Sequence, residues 1–261
     1  MTETAWLACA DPATMLSSLA DRASPRKLRL FAAACCRRLL RLQFPIEPEL
    51  RILERFADGQ AGTEELARVG ACGRYKWDQD IDNNDGAVNY FVCSALEDAA
   101  AQEFDAEVAR CAALAVAWHA SRVVLGRQRS MPEGMRPGPD VILVDDGCPQ
   151  CRLNIVNRCY DESAEAAFAE ERRYQCAVLR DIFGDAFRAA PAAEACPSWQ
   201  DGTVRNMAWS IYEERAFERL PILADALEDA GCGDEQLLAH CRQGGEHVRG
   251  CWAVDRVLGR V

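Results

Sequence analysis

Ser24-Pro-Arg-Lys-Leu-Arg-Leu-Phe-Ala-Ala-Ala-Cys-Cys-Arg-Arg38 decides the fold class of this chain. A serine before a proline supplies a capping oxygen and a first helical residue with no N–H left to satisfy. Leu28, Phe31, Cys35, Leu39 and Leu42 then recur every three to four residues until Pro45, the period of one buried helix face. The other side carries Arg26, Lys27, Arg29, Arg37, Arg38 and Arg41. Such a run reads as a solvated helix face, or, in an acidic protein, as a partner for the chain's own carboxylates; its chemistry also suits phosphate or an acidic partner surface.

The same local signals repeat in both directions. Asp11-Pro12 caps a short helix with Met15, Leu16 and Leu19 on one face, and a helix from about Glu47 keeps Leu50, Leu53 and Phe56 inward before Gly59. Ala87 to Leu125 is alanine-rich with helical spacing, and a break at Phe104-Asp105, with Asp105 as cap, is expected because uninterrupted helices of ~40 residues are rare in compact domains. Asp161, Asp201, Leu220-Pro221 and Asp234 open further helices, Gly231 stops one, and a last helix holds Cys251, Trp252, Val254 and Leu258. Gly126 to Cys159 departs from this pattern: a Pro/Gly linker precedes Val141-Ile-Leu-Val144 and Leu153-Asn-Ile-Val156, two β-rich runs about a turn. The expectation is an all-α, multi-helix globular array with one small β-hairpin insertion around residues 140–157. Its divisions are residues 1–125, 126–160 and 161–261, which can also form one domain.

Of 261 residues, 49% are hydrophobic and 27% charged, a globular balance far from the composition of disorder. A net charge of −11 repels polyanions, so nucleic acid is not the expected partner. The most apolar run, Cys111 to Leu125, contains His119 and Arg122 and falls short of the roughly 20 residues that span a bilayer, so no membrane association is expected. Met1-Thr-Glu-Thr-Ala-Trp-Leu7 has an acidic residue where an export signal carries basic ones. Fourteen cysteines in a chain with ample core, with Cys35, Cys93, Cys111 and Cys176 among alanines and aliphatics, read as free thiols in a reducing cytoplasm.

Trp6-Leu-Ala-Cys-Ala-Asp-Pro12, Ser24 to Arg38, Leu179-Arg-Asp-Ile-Phe-Gly184 and Arg219 to Gly259 together resemble an uncharacterised bacterial protein family. Arg219-Leu-Pro-Ile-Leu-Ala-Asp-Ala-Leu-Glu-Asp-Ala-Gly231 is similar to a short helical repeat-companion domain fused to varied bacterial proteins. These resemblances imply helices and an adaptor role, and no catalytic residue.

Cys148-Pro-Gln-Cys151 places two thiols at a tight turn, half of a tetrahedral zinc site. Cys159 lies eight residues beyond Cys151 and completes the candidate set Cys148, Cys151 and Cys159; Cys176, Cys72 or His119 is the candidate fourth ligand. His240, Cys241, His247 and Cys251 crowd the last helices, and His247 and Cys251 share a face if helical, which permits a second metal or a Cys-His pair. Asp78-Gln-Asp80-Ile-Asp82-Asn-Asn84-Asp-Gly86 fails the calcium-loop register, because Asp85 stands where the glycine belongs and Phe91 where the bidentate glutamate belongs. Phosphate-binding Gly-rich loops, G-x-S-x-G and H-E-x-x-H are absent. The sequence therefore favours a non-catalytic helical interaction or regulatory protein, an adaptor or scaffold with a protein partner and with zinc as its candidate cofactor. The alternatives are an enzyme or metal-dependent module using His240, His247 and Cys251, and a protease target or component of a bacterial defence system exposing residues 126–147.

Overall fold

The computed structural model describes residues 1–19, 22–38, 40, 46–70, scattered positions from 95 to 113, 141–143, 155–157, 162–184 and 202–260. Helices dominate: Glu3–Ala8, Pro12–Ser18, Pro25–Arg37, Glu47–Ala57, Glu162–Phe183, Thr203–Glu214, Leu220–Asp229, Glu235–Arg242 and Trp252–Leu258. The expected caps form. The Asp11 carboxylate accepts from the Ala13 and Thr14 amides, Ser24 Oγ from Lys27, and the Asp234 carboxylate from Gln236 and Leu237. Asp105 Oδ1 accepts from the Val108 amide at 2.9 Å, so the break at Phe104-Asp105 stands. Asp161 and Asp201 lie outside the described residues, and the cap of Thr203–Glu214 is Gly202 in the left-handed region, with no side-chain bond.

The fold is all-α. Val141–Leu143 and Ile155–Asn157 lie antiparallel, with Ile142 opposite Val156. These two three-residue runs are all that is described of residues 114–161, so the hairpin insertion gains no support as an element of this fold. Two strands this short are marginal without a helix or a third strand beneath them.

Buried side chains fall into two clusters. The first gathers Trp6, Met15, Leu16, Leu28, Phe31, Cys35, Leu50 and Leu53 with Cys176, Val178, Leu179, Ile182 and Phe183, so the Glu162–Phe183 helix packs with the N-terminal helices. The second gathers Val204, Ala208, Ile211, Leu220, Leu223, Leu227, Leu237, Cys241, Trp252 and Val254. Seven described cysteines are free thiols, among them Cys35, Cys36 and Cys176 in the first cluster and Cys232, Cys241 and Cys251 in the second.

Charged groups stitch the clusters together. Arg26 donates to both oxygens of Asp255 at 2.7 and 3.0 Å, to Asp58 at 3.0 Å and to the Tyr212 hydroxyl at 2.9 Å. Tyr212 donates in turn to Asp58, and Arg260 and Arg249 approach the same carboxylate. Burying charge is costly unless every member is paired, and here each guanidinium meets a carboxylate. The solvated basic face therefore resolves into the second reading for Arg26, Arg37 and Arg38, which bind Asp58 and Asp255, Glu47 and Glu54, and Glu171 respectively. Arg29 departs from both readings: it is 3% exposed and donates to the Ala99 and Ala101 carbonyls at 2.7 and 2.8 Å. Its guanidinium stacks over Phe104 and Phe56, and burial brings its pKa down to about 10.

Candidate metal centre

Where the two clusters meet, three stretches of chain converge. Asp181 lies in the last turn of Glu162–Phe183, His240 in the last turns of Glu235–Arg242, and His247 and Cys251 flank the loop into Trp252–Leu258. The loop turns sharply, with the Cys251 amide donating to the Val248 carbonyl at 3.0 Å and Gly250 at φ +92°. A Cβ on Gly250 would sit 3.0 Å from Leu30 Cδ1, so only glycine both takes this conformation and lets the loop close on the Pro25–Arg37 helix. His247 and Cys251 thus meet through a turn, not through one helix face.

One ligand atom each from Asp181, His240, His247 and Cys251 lies within 4.8 Å of the others. Asp181 Oδ1 is 2.6 Å from His247 Nδ1 and 3.1 Å from His240 Nε2; His240 Nε2 is 3.2 Å from Cys251 Sγ, and Cys251 Sγ is 3.9 Å from His247 Nδ1. Tetrahedral bonds of ~2.0 Å to nitrogen or oxygen and ~2.3 Å to sulfur place neighbouring ligand atoms about 3.3–3.6 Å apart. The group brackets that spacing, with the Asp181–His247 pair drawn in by its hydrogen bond.

The outer atoms are already committed. Asp181 Oδ2 accepts from the Val248 amide at 2.9 Å, and His247 Nε2 faces the Gln243 carbonyl at 3.2 Å. A carbonyl only accepts, so His247 Nε2 carries a proton and Nδ1 is the atom left for a metal, the arrangement a ligating imidazole takes. His240 fits on one condition. Trp252 Nε1 donates to His240 Nδ1 at 3.2 Å, so Nδ1 is bare; ligation by a neutral ring through Nε2 moves a proton onto Nδ1 and breaks that bond.

Without metal, the charges settle the same four groups. Burial works against a charged His247, but the hydrogen bond and charge of Asp181 and the Gln243 carbonyl outweigh it and raise its pKa above 6.5. Burial likewise pushes Asp181 up, and the two histidines more than reverse this, leaving it lowered. Burial and then Asp181 push the Cys251 thiol well above its ordinary range, against the pull of the Val254 and Ala253 amides. Metal entering here displaces protons from His247 and Cys251.

Of the sequence-read sites, Cys148, Cys151 and Cys159 lie outside the described residues, as do Cys72 and His119. Cys176 is 1% exposed in the first cluster, away from this group. His240, His247 and Cys251 come together, whereas Cys241 packs in the second cluster. Asp181 escaped the sequence reading. Its signal was a carboxylate on the buried stripe of Leu179, Ile182 and Phe183, where a charge persists only with a partner.

No protein-family model matches the chain, and no curated protein or solved structure matches it. No described helix is long and apolar enough to cross a membrane.

Proposed function

We propose that this chain is a non-catalytic helical interaction module whose two helical clusters are joined by a structural zinc ion held by Asp181, His240, His247 and Cys251. The observation that carries the reading is four ligand atoms from three stretches of chain within 4.8 Å, with the outer atoms of Asp181 and His247 hydrogen-bonded. Four protein ligands fill a tetrahedral ion and leave no open position, the mark of a structural site. A mixed sulfur, nitrogen and carboxylate set suits zinc. Zinc is a Lewis acid without redox chemistry, and its role here is cohesive: it replaces two protons and ties Glu162–Phe183 to the C-terminal helices.

Cysteine-nucleophile chemistry with the same Cys, His and Asp groups is the rival. Cys251 is fully buried, and of the four groups His247 alone reaches the wall of the two cavities described below, while the nucleophile Cys251 does not. A nucleophile has to reach its substrate, so burial favours the structural role. The adaptor role follows the resemblance at the chain's two ends, and the free thiols suit a reducing compartment such as the cytoplasm.

Elemental analysis of protein purified without chelator tests the site. The expected result is close to one zinc per chain, lost in His247→Ala and in Cys251→Ser and kept in the double substitution Cys148→Ser, Cys151→Ser. Zinc that survives His247→Ala and leaves with the Cys148 and Cys151 pair would assign it to that turn instead. Metal-free wild type would reject both.

A further inference from the structure

A cleft of about 410 Å³ opens beside the metal centre, between the end of Pro25–Arg37 and the loop through Gly244 and Gly245. Arg37, Arg38 and Arg215 line it together with Tyr174, Phe217 and Leu220, and the Arg38 guanidinium lies over the Tyr174 ring at 4.4 Å. A smaller chamber of about 180 Å³ shares Arg37, Arg215 and Phe217 with that wall and adds Glu54 and Arg249. Together they combine guanidinium groups with apolar and aromatic lining.

Glu54 faces Arg37 at 3.1 Å, Arg249 at 3.8 Å and Arg215, one anion for three guanidinium groups. Arg37 has a second carboxylate in Glu47, and Arg249 has two more in Glu213 and Asp58. For Arg215, Glu54 is the carboxylate it pairs with among the described residues. The Nε–H groups of Arg37 and Arg249 are buried with no acceptor. Burial, then repulsion from Arg37 and Arg249, brings Arg215 down to about 9.

Arg215 also stands out by its backbone. It is the one described non-glycine residue at positive φ, +56°, at the end of Thr203–Glu214, a place where glycine is unstrained. A strained residue that projects a guanidinium into a cleft points to a role for that side chain. Glu218 and Glu246 also line the cleft and repel a polyanion, which restricts the occupant to a single anionic group.

We propose that this cleft binds an organic anion, with one carboxylate or phosphate group seated against Arg215, Arg37 and Arg38 and an apolar or aromatic body against Phe217, Leu220 and Tyr174. None of the residues that seat the anion is a metal ligand, although His247 lines both cavities, so the cleft adjoins the proposed zinc site without sharing these side chains with it.

Calorimetric titration of the full chain at low salt, with phenyl phosphate, benzoate, inorganic phosphate and neutral benzyl alcohol as probes, decides it. Phenyl phosphate or benzoate is expected to bind at one site with Kd below about 1 mM, inorganic phosphate more weakly and benzyl alcohol not at all. Whichever aromatic anion binds more tightly identifies the head group. Arg215→Gly should weaken binding at least tenfold while leaving the Tm unchanged or higher, because glycine relieves the backbone. Arg38→Gln, at the cleft's other edge, should weaken it without unfolding. Absence of binding by either aromatic anion, equal binding by benzyl alcohol, or full binding by Arg215→Gly would overturn the proposal.

Discussion

Arg26 and Arg29 stand three residues apart on a helix whose period assigns both to the outside, and neither is there. A periodic reading counts which side chains are apolar; it cannot see that a second layer covers the polar side. Arg26 is instead the hub between Asp58, Asp255 and Tyr212. Arg26→Met should cost about 3–5 kcal/mol, because it takes the guanidinium from Asp255, whose side chain is 1% exposed, and one of several partners from Asp58; urea unfolding measures it, and a loss under 1 kcal/mol would mean that water has replaced the guanidinium. Leu223, by contrast, was legible outright: it sits on the apolar stripe of the helix opened by Leu220-Pro221 and is fully buried. Leu223→Asp places an unpaired charge there and should remove at least about 3 kcal/mol, and an unmoved melting temperature would contradict its place in the core.

At the scale of elements, caps and helix faces were readable because their information lies within a turn or two of chain. The Asp11, Ser24 and Asp234 caps and the break before Asp105 needed no tertiary knowledge. Asp181 was different: its place beside Leu179, Ile182 and Phe183 hinted at burial, but its partners lie 59 to 70 residues downstream, beyond what local pattern can name. How helices cross was equally hidden. A Cβ on Gly184 would lie 2.6 Å from Trp252 Nε1 and 2.7 Å from the Arg180 carbonyl, so the end of Glu162–Phe183 meets the Trp252 indole with no room for a methyl group. Gly184→Ala should therefore cost about 1–3 kcal/mol by overpacking and displace the indole from His240. Calorimetry and tryptophan emission, with Trp252→Phe as reference, check both effects; unchanged emission with full stability would show that the two helices slide apart freely.

For the whole molecule, the candidate metal centre and the ion pairs occupy one seam, so pH acts on both halves together. In chelated protein, the raised pKa of His247 gives stability that is complete below about 6.5, its unfolded value, and lost as pH climbs through the higher folded value. The lowered pKa of Asp181 gives stability that is present above about 3.9 and lost as pH falls through the lower folded value. Metal-free protein should accordingly have its highest Tm between about pH 4 and 6.5 and decline toward pH 9. Zinc-loaded protein should show the opposite slope over pH 6–8, because His247 and Cys251 give up their protons to solvent as they bind the metal, which higher pH favours; parallel slopes with and without zinc would exclude metal from this seam. The buried thiols supply a chronometer for the same architecture. An alkylating reagent reaches Cys35, Cys36 and Cys176 only when the first cluster opens, and Cys232, Cys241 and Cys251 only when the second does. Peptide mapping of pulse-alkylated protein therefore dates the two openings separately: if the charged seam parts first, the C-terminal set is tagged early, and zinc delays that set alone.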